Sequence, residues 1–452
     1  MMTVKSLTNP SLRQPPFTVS LVCSALLALP LLWSSTVHAT DLEEVYEQAR
    51  QYDAEFSAAQ YDLEAARQLI PVARSTFLPQ LSFAGEAGLS TLADDGESSY
   101  EETSLSLSLS QTVFNRAYGK TLDQAEITVR QAEAQYAALG QALILRVATA
   151  YFEVLRAQAI VEFSQSELEA ISRQLEQAER RFDVGLVPIT DVRSAQAQHD
   201  LAVAQEIAAS NQLSTAREAL VLISGVDTES LALLADDLPL LPPDPADIDA
   251  WVDQAIDQNL ELMIARFAEQ SSTTQVAIER AARYPVLNLV GSAASATTEQ
   301  ALRSDTDAAE IKLQLTVPLL TGGRINAQVA QARAQALSSG EQLLAQKRAT
   351  TQQTRDGYRG VQASISLVKA LRQALESTRK SAEATEAGFR AGTRTSVEVL
   401  QALRDTYSAQ SDYASARYDY IINSLNLKAA SGTLSESDLY AVNRFLAEPE
   451  FE

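Results

Sequence analysis

The chain has 452 residues, with 36 basic and 58 acidic side chains, a formal net charge of −22 and one cysteine, Cys23. Because phosphate contacts need a basic surface, this acidic composition argues against a nucleic-acid ligand. The cysteine lies inside the leader segment, so the mature protein is expected to use neither disulfides nor thiol chemistry.

The first predicted element is a signal peptide over residues 1–39. Two basic residues precede the apolar run FTVSLVCSALLALPLLW, and Val-His-Ala at its end has the small-residue pattern of a cleavage site. A membrane anchor is the weaker alternative, because Pro30 interrupts the run and a membrane-spanning helix needs about 20 apolar residues. The mature chain is therefore predicted to begin at Thr40.

The mature sequence contains an internal two-fold repeat. DLEEVYEQARQYDAEF from Asp41 matches DIDAWVDQAIDQNLEL from Asp247, and LPQLSF matches YPVLNL at the same offset of 206 residues. Agreement of several segments at one offset indicates a duplication. The predicted divisions are repeat 1 over 40–238, a proline-rich linker over 239–245, repeat 2 over 246–436 and a C-terminal tail over 437–452.

Proline placement and apolar spacing predict very long helices in each repeat. No proline lies between positions 79 and 188 or between 318 and 449, and proline costs about 3 kcal/mol inside a helix. Apolar residues in these segments recur every three and four positions, which is the heptad spacing of coiled coils. The run 323–390 alone would reach about 100 Å at 1.5 Å per residue.

Four short segments alternate in polarity instead of following the helical period. Apolar side chains occupy every second position in residues 81–90, 104–113, 287–293 and 311–317. Each segment is near the 9–11 residues of a tilted strand that spans an outer membrane, although an ordinary sheet with one wet face is an equal alternative for any one of them. Polar acidic loops over 94–102 and 297–307 connect them in pairs.

Spanning strands would require an oligomer. Four strands cannot close a barrel, and lipid tolerates no open sheet edge. If the strands cross a membrane, several protomers must therefore pool them.

Two glycine-marked breaks interrupt the long helices. FDVGLVPITDVRS begins at Phe182 and FRAGTRTSVEVLQ begins at Phe389, 207 residues later, and each places a glycine three residues after the phenylalanine. Gly185 and Gly392 are predicted to be helix C-terminal residues at two tip turns. An acid follows each glycine by six residues, but only the second break has an arginine between its glycine and its acid, at position 394.

The polar residues of the breaks each have a structural explanation. Thr395 and Glu398 have the spacing of a capping box at a helix start. Asp191 has the position of an acid that favours a helix dipole. Arg394 on its own could be a solvated turn residue.

The chain resembles the TolC family of outer-membrane efflux channels. The resemblance lies in RFDVGLVPITDV, AGTRTSVEVL and SLNLKAASGTLSESDL, and it extends over almost all of the mature chain. It implies a mainly α fold with a small β part, in which a homotrimer pools four strands per protomer into a 12-strand barrel in outer-membrane lipid. The long coiled-coil helices would form an α-barrel tunnel through the periplasm. It also implies docking to a periplasmic adaptor and to an inner-membrane pump or ABC-type secretion translocase, for export of drugs or proteins.

The resemblance further implies a gate at the periplasmic tip of the tunnel. Arg394 matches the arginine that ties neighbouring protomers to a polar pair, here Thr190 and Asp191. Gln174 and Glu386 match a second linked pair just above.

This sequence departs from the family pattern at the aperture. Glu398 is a longer version of the usual Asp nearest the opening. Phe389 stands where close relatives carry Tyr, so the hydroxyl link to Asp191 is absent. Gln401 stands where a second acid would complete an aperture ring, which puts cation binding there in doubt.

No catalytic constellation is visible in the sequence. His199 is the sole histidine after the leader, and neither a glycine-rich phosphate loop nor a metal-ligand cluster is present. We expect no enzyme activity, no cofactor and no metal, and we favour a passive exit duct. The alternative is a secreted coiled-coil structural or adaptor protein without a membrane barrel, and the four alternating segments distinguish the two.

Overall fold

The computed structural model describes residues 39–92, 98–226, 230–298 and 306–447. All of the predicted signal peptide except Ala39 lies outside these residues. Residues 93–97, at the start of the first predicted acidic loop, and residues 299–305, at the centre of the second, also lie outside them, as do the last five residues of the predicted tail. The rest of the first predicted loop, 98–102, belongs to a strand.

The same order of elements occurs twice along the chain: helices, two strands, a long helix and a shorter helix. The first half contains α1 Leu42–Tyr52, α2 Ala54–Arg67, α3 Leu69–Ser75, β1 Gln80–Leu92, β2 Ser98–Phe114, α4 Arg116–Asp183, α5 Ile189–Ser224 and β3 Leu233–Leu234. The second half contains α6 Ile248–Gln258, α7 Leu260–Ala281, β4 Val286–Thr298, β5 Thr306–Thr316, α8 Arg324–Arg390, α9 Ser396–Ala430, α10 Glu436–Asn443 and β6 Leu446–Ala447.

The predicted long helices are confirmed, and so is the mainly α fold with a small β part. α4 has 68 residues and α8 has 67, and each packs along the shorter helix that follows it, α5 or α9. The heptad positions Tyr358, Val361 and Val368 are buried, as a coiled-coil seam requires. In the part nearer the sheet, α4 lies between α2 and α7, and α7 lies between α4 and α8.

Each half begins with a helical segment that breaks at a buried capping residue. Asp53 accepts the N–H of Phe56 at 2.7 Å to start α2. Asn259, 206 residues later, accepts the N–H of Leu262 at 2.9 Å to start α7. Asp53 also pairs with Arg146 of α4 at 3.0 Å, so the acid that ends one helix anchors the next to the long helix.

The main core lies where α1, α4, α9 and α10 meet. Leu42, Val45, Tyr151, Phe152 and Leu439 are all fully buried there. This packing explains why α4 contains a stretch long and apolar enough to cross a membrane by composition, since half of that stretch is buried inside the protein.

The four predicted strands form one antiparallel sheet in the order β1-β2-β4-β5. They have 13, 17, 13 and 11 residues, so three of them exceed the predicted spanning length. Paired residues share a face, and the register places Leu81, Leu109 and Ile311 in one row across Gly291. The next row, on the opposite face, contains Ser82, Ser108, Ser292 and Glu310. The sheet therefore has an apolar face and a polar face rich in serine.

Part of the predicted C-terminal tail is folded. α10 starts with a capping box between Ser435 and Asp438, and β6 pairs with β3. Lys428 of α9 donates to Asp438 at 2.5 Å, and Leu439 is fully buried. The sequence did not indicate this helix, because a short capped helix that supplies one apolar anchor leaves little periodic signal.

Candidate gate at the helix breaks

The two glycine-marked breaks lie together, at the end of the long helices that is farthest from the sheet. α4 begins two residues after β2 and runs for 68 residues, which is about 100 Å. At its far end the hydroxyl of Ser396 lies 3.5 Å from a carboxylate oxygen of Asp191, although 205 residues separate them in sequence. The fold thus brings the tip turns of both repeats to one place.

Both breaks use the same helix-ending geometry. Gly185 and Gly392 each have φ of 75°, in the left-handed region that favours glycine. The residue after each glycine donates its N–H to the carbonyl five residues earlier, at 2.8 Å in both cases. This is the bonding of a Schellman motif, and it confirms both residues as helix C-terminal glycines.

The second break holds its polar side chains within the chain. Glu398 accepts the backbone N–H of Thr395 at 2.7 Å, and its own N–H donates to the Thr395 hydroxyl at 3.3 Å, which confirms the predicted capping box. The other carboxylate oxygen of Glu398 accepts from Nη1 of Arg394 at 2.7 Å. The Thr395 N–H and then Arg394 lower the pKa of Glu398 to about 2, so the acid is charged and fully engaged.

The first break leaves its polar side chains almost free. α5 starts after Pro188, which makes no side-chain capping bond. The hydroxyl of Thr190 lies 3.5 Å from Asp191, and the contact from Ser396 is equally long. Both distances are at the limit of a hydrogen bond. Within the described part of the chain, Asp191 forms no ion pair.

One contact at the tip was missed by the sequence reasoning. The guanidinium of Arg181 lies 4.8 Å from the centroid of the Phe389 ring, and Phe389 is only 8% exposed. This distance is within the range of a cation–π interaction. The contact joins the end of α4 to the end of α8. It involves the phenylalanine that the sequence analysis singled out because it lacks the tyrosine hydroxyl. Arg181 lies inside the quoted motif RFDVG, but nothing in its local spacing indicates a ring 208 residues away.

The remaining predicted gate residues are not brought together within one chain. Gln174 is half-buried on α4, whereas Glu386 is exposed and lies 3.9 Å from Arg390 of its own helix. Gln401 donates to Asp405 at 2.7 Å and so lies along α9. Their proposed pairing across protomers stays a prediction.

A tightly packed seam lies directly above the breaks. Small residues of α5 recur at every seventh position, and Ala195 and Ala202 are buried against Ile171 and Ala178 of α4. Leu400 of α9 joins the same cluster. Alanines at this spacing let helix backbones approach closely. At the tip, the pair formed by α4 and α5 therefore contacts the pair formed by α8 and α9, with few large side chains between them.

Sequence comparison relates the chain to a known family. The model of the family described as Outer membrane efflux protein matches residues 45–226 and again residues 251–433. Outer membrane protein TolC of Vibrio cholerae serotype O1 is 37% identical over 415 residues, covering 91% of this chain and 94% of that protein. Alkaline protease secretion protein AprF of Pseudomonas aeruginosa is 30% identical over 432 residues, covering 92% of this chain and 89% of that protein.

Structural comparison gives the same architecture. The crystal structure of the CmeC outer membrane channel of Campylobacter jejuni matches with a TM-score of 0.76, covering 96% of this chain and 98% of that chain. The two sequences are 14% identical, so this likeness concerns the fold.

Proposed function

This chain belongs to the outer membrane efflux protein family and is an outer-membrane channel protein, and from that premise we propose how it assembles and closes. Its helical part lies in the periplasm. The alternative of a secreted structural or adaptor protein without a barrel is not supported. The proposal concerns three features: a homotrimer, a gate at the helix breaks, and partners that supply the cargo.

The open sheet is the observation that carries the homotrimer. β1 and β5 are the edges of the described sheet, and an apolar face of an open sheet cannot remain in lipid with unpaired edges. Three protomers would pool four strands each into a 12-stranded barrel, with β5 of one protomer beside β1 of the next. The apolar face would meet lipid and the serine-rich face would line the lumen.

The helical layer has matching edges. α2 packs on α4 and comes shortly before β1 in the chain. α8 packs on α7 and comes directly after β5. Tyr61 of α2 is 74% exposed and Leu337 of α8 is 73% exposed. Closure of the ring would cover both side chains, since α8 of one protomer would then pack beside α2 of the next.

We propose that Arg394 closes the tip by hydrogen bonding to Thr190 and Asp191 of the next protomer. The acceptors are nearly free within their own chain, and a charge-assisted bond is stronger than a neutral one. Arg394 would exchange its bond to Glu398 for this link, or share it between both. Because Arg394 is exposed, each link contributes about 1 kcal/mol and weakens with salt. Gln174 and Glu386 would add a second link above it.

The channel is proposed to work with a periplasmic adaptor and an inner-membrane pump or secretion translocase. The relatives point to two cargo classes, because one is an outer membrane protein of an efflux family and another is named for alkaline protease secretion. Export of small toxic compounds, of proteins, or of both fits these relatives. Catalysis forms no part of the proposal.

Conductance in planar bilayers tests the gate. Purified protein is first checked for assembly as a heat-sensitive trimer, and recovery as a soluble monomer would refute the channel assembly. Arg394→Ser should then raise the conductance and, in cells, admit large antibiotics. Lys380→Ser is the matched control, since Lys380 is an exposed base on α8, before the same break, and pairs with Glu376. Unchanged conductance of an assembled Arg394→Ser trimer would remove Arg394 from the gate.

A further inference from the structure

The chain crosses the boundary between helices and sheet four times, and an arginine lies at each crossing. Arg74 lies in the last turn of α3 before β1, and Arg116 starts α4 after β2. Arg283 lies between α7 and β4, and Arg324 starts α8 after β5. We call these four arginines and the exposed apolar residues beside them the boundary belt.

The belt lies in passages that contain no acidic residue. Aspartate and glutamate make up 58 of 452 residues, about one in eight, yet none occurs in 65–85, 103–122, 280–298 or 311–340. These four ranges together cover the four crossings. A chain with a net charge of −22 therefore has four acid-free passages, one around each crossing between helices and sheet.

The arginines are not explained by helix capping. α4 and α8 both begin on an arginine and have no acid in the first turn, whereas α5, α7 and α9 each have one there. A positive side chain at a helix N-terminus is unfavourable, because that end already carries a partial positive charge. Arginine at these two positions thus opposes local helix stability and needs another reason.

The four guanidinium groups also lack acidic partners. Arg116 stacks over the ring of Tyr284 at 4.2 Å, Arg283 donates to Asn326 at 2.8 Å, and Arg324 donates to Gln328 at 3.0 Å. These partners are neutral. Within the described ranges, none of the four arginines forms an ion pair, so no described acid neutralises their positive charges.

Exposed apolar side chains accompany the arginines at three of the four crossings. Leu78 follows Arg74, Phe114 precedes Arg116, and both apolar residues are exposed. Leu319 and Leu320 precede Arg324 and are 91% and 93% exposed, among the most exposed large apolar residues of the chain. An apolar side chain beside a long cationic one is typical of a membrane interface, where the first enters the acyl region and the second reaches the headgroups.

We propose that the boundary belt binds anionic phospholipid headgroups in the periplasmic leaflet of the membrane. This inference rests on the proposed function, because it takes the sheet to span the membrane. Arginine suits the role, since its planar fork donates two parallel hydrogen bonds to a phosphate. An unneutralised positive band favours phosphatidylglycerol or cardiolipin over a zwitterionic lipid. Each arginine that engages a lipid should raise the preference about fivefold.

The test compares two variants with the same change in charge. The belt variant carries Arg74→Gln, Arg116→Gln, Arg283→Gln and Arg324→Gln. The control variant replaces four arginines of the helical part that are exposed and paired with acids in this chain: Arg173, Arg180, Arg355 and Arg359, each to Gln. Each purified oligomer is equilibrated with mixed phosphatidylglycerol and phosphatidylcholine, and the retained lipids are counted by native mass spectrometry.

Wild type and the control variant should retain phosphatidylglycerol in preference to phosphatidylcholine, and the belt variant should lose that preference. Equal retention of both lipids by wild type, or an unchanged preference in the belt variant, would overturn the inference. The second result is also the one expected if the arginines face the tunnel lumen. If the belt variant does not assemble, Arg324→Gln alone replaces it, and a preference that does not fall by at least twofold would overturn the inference.

A separate arm keeps the inference distinct from the proposed function. Wild type is reconstituted into bilayers of phosphatidylcholine alone and its conductance is recorded. Channels in this neutral lipid, together with no lipid preference, would refute the belt and leave the channel intact. Failure to insert into any bilayer would refute the channel assembly itself.

Discussion

Replacing Phe389 with leucine tests whether its contact with Arg181 joins the two helix pairs of one protomer. In the proposed gate, opening at the tip would move α8 and α9 relative to α4 and α5, and the Arg181 guanidinium over the Phe389 ring is a direct link between these pairs. A cation–π contact is worth about 0.5–1 kcal/mol when exposed and about 2 when desolvated. Phe389 is nearly buried and Arg181 is half-buried, so about 1 kcal/mol per protomer is expected.

In a symmetric trimer the three contacts would open together, which gives about 3 kcal/mol. That corresponds to a shift of more than a hundredfold in the equilibrium between closed and open states, since about 1.4 kcal/mol is tenfold. The assay is the open fraction of single channels in planar bilayers. Arg181→Gln should raise this fraction strongly, whereas Arg180→Gln should not, because Arg180 pairs with Glu176 on the exposed side of the same helix.

Phe389→Leu also removes packing, so the contact must be separated from the cavity that leucine leaves. A double-mutant cycle does this, because the cavity cost is the same with or without Arg181. If the contact closes the gate, Phe389→Leu should have a much smaller effect in the Arg181→Gln background than in wild type. Additive effects of the two substitutions, within about 0.5 kcal/mol, would show that the ring and the guanidinium act independently.

Three further predictions concern the barrel, the acid at the tip and the tip turns. Leu107→Arg on the apolar face of the sheet should destabilise the inserted barrel by about 2–4 kcal/mol near the membrane midplane and reduce trimer yield, whereas Ser106→Arg on the other face should assemble. Equal yields of the two variants would mean that the sheet is not in lipid. The pKa of Glu398 lies below its ordinary value of 4.5, so the charged Glu398 stabilises the second break above about pH 5, and this stabilisation is lost as pH falls towards 2. A step in wild-type conductance between pH 5 and 8 that disappears in Glu398→Gln would contradict this prediction. Gly392→Ala should lower the thermal midpoint of the trimer by imposing strain of about 1 kcal/mol, whereas Gly340→Ala inside α8, where no neighbour obstructs a Cβ, should raise it.

Local and periodic features of the fold could be predicted from the sequence. The heptad spacing predicted α4 and α8, the alternation of apolar and polar residues predicted four strands, and the glycines predicted both helix ends. The capping box of Thr395 and Glu398 was also foreseen, because its four residues are adjacent in sequence. In each case the determining interaction lies within one or two turns of the chain.

Features that depend on distant partners could not be predicted. Asp53 looks like one more acid on a solvated helix, but it is buried, ends α1 and binds Arg146 at 93 residues' distance. The pairing of β2 with β4 across the repeat boundary carries no local signal. The contact between Arg181 and Phe389 was also unpredictable. The replacement of tyrosine by phenylalanine shows that a hydroxyl bond is absent, but it does not show which residue contacts the ring.

The duplicated break suggests why, in the proposed gate, the first repeat provides the hydrogen-bond acceptor and the second repeat provides the donor. Asp191 and Glu398 occupy the same third helical position, after Pro188 and Thr395 respectively. Thr395 provides the hydroxyl and the N–H of a capping box, which holds Glu398 within its own chain. Proline has neither group, so Asp191 has no local bond to make and stays available to a neighbouring protomer.

Pro188→Thr should therefore rebuild a capping box at the first break and withdraw Asp191 from the gate. An aspartate can complete such a box, because Asp438 does so with Ser435 at the start of α10. The variant should fold at least as stably as wild type, since a capping side chain adds about 1 kcal/mol, and yet show a larger open fraction in bilayers. Pro188→Ala is the matched control, because it restores the N–H without the hydroxyl and should open the channel less. A Pro188→Thr trimer that is as tightly closed as wild type would mean that Asp191 is not an acceptor between protomers.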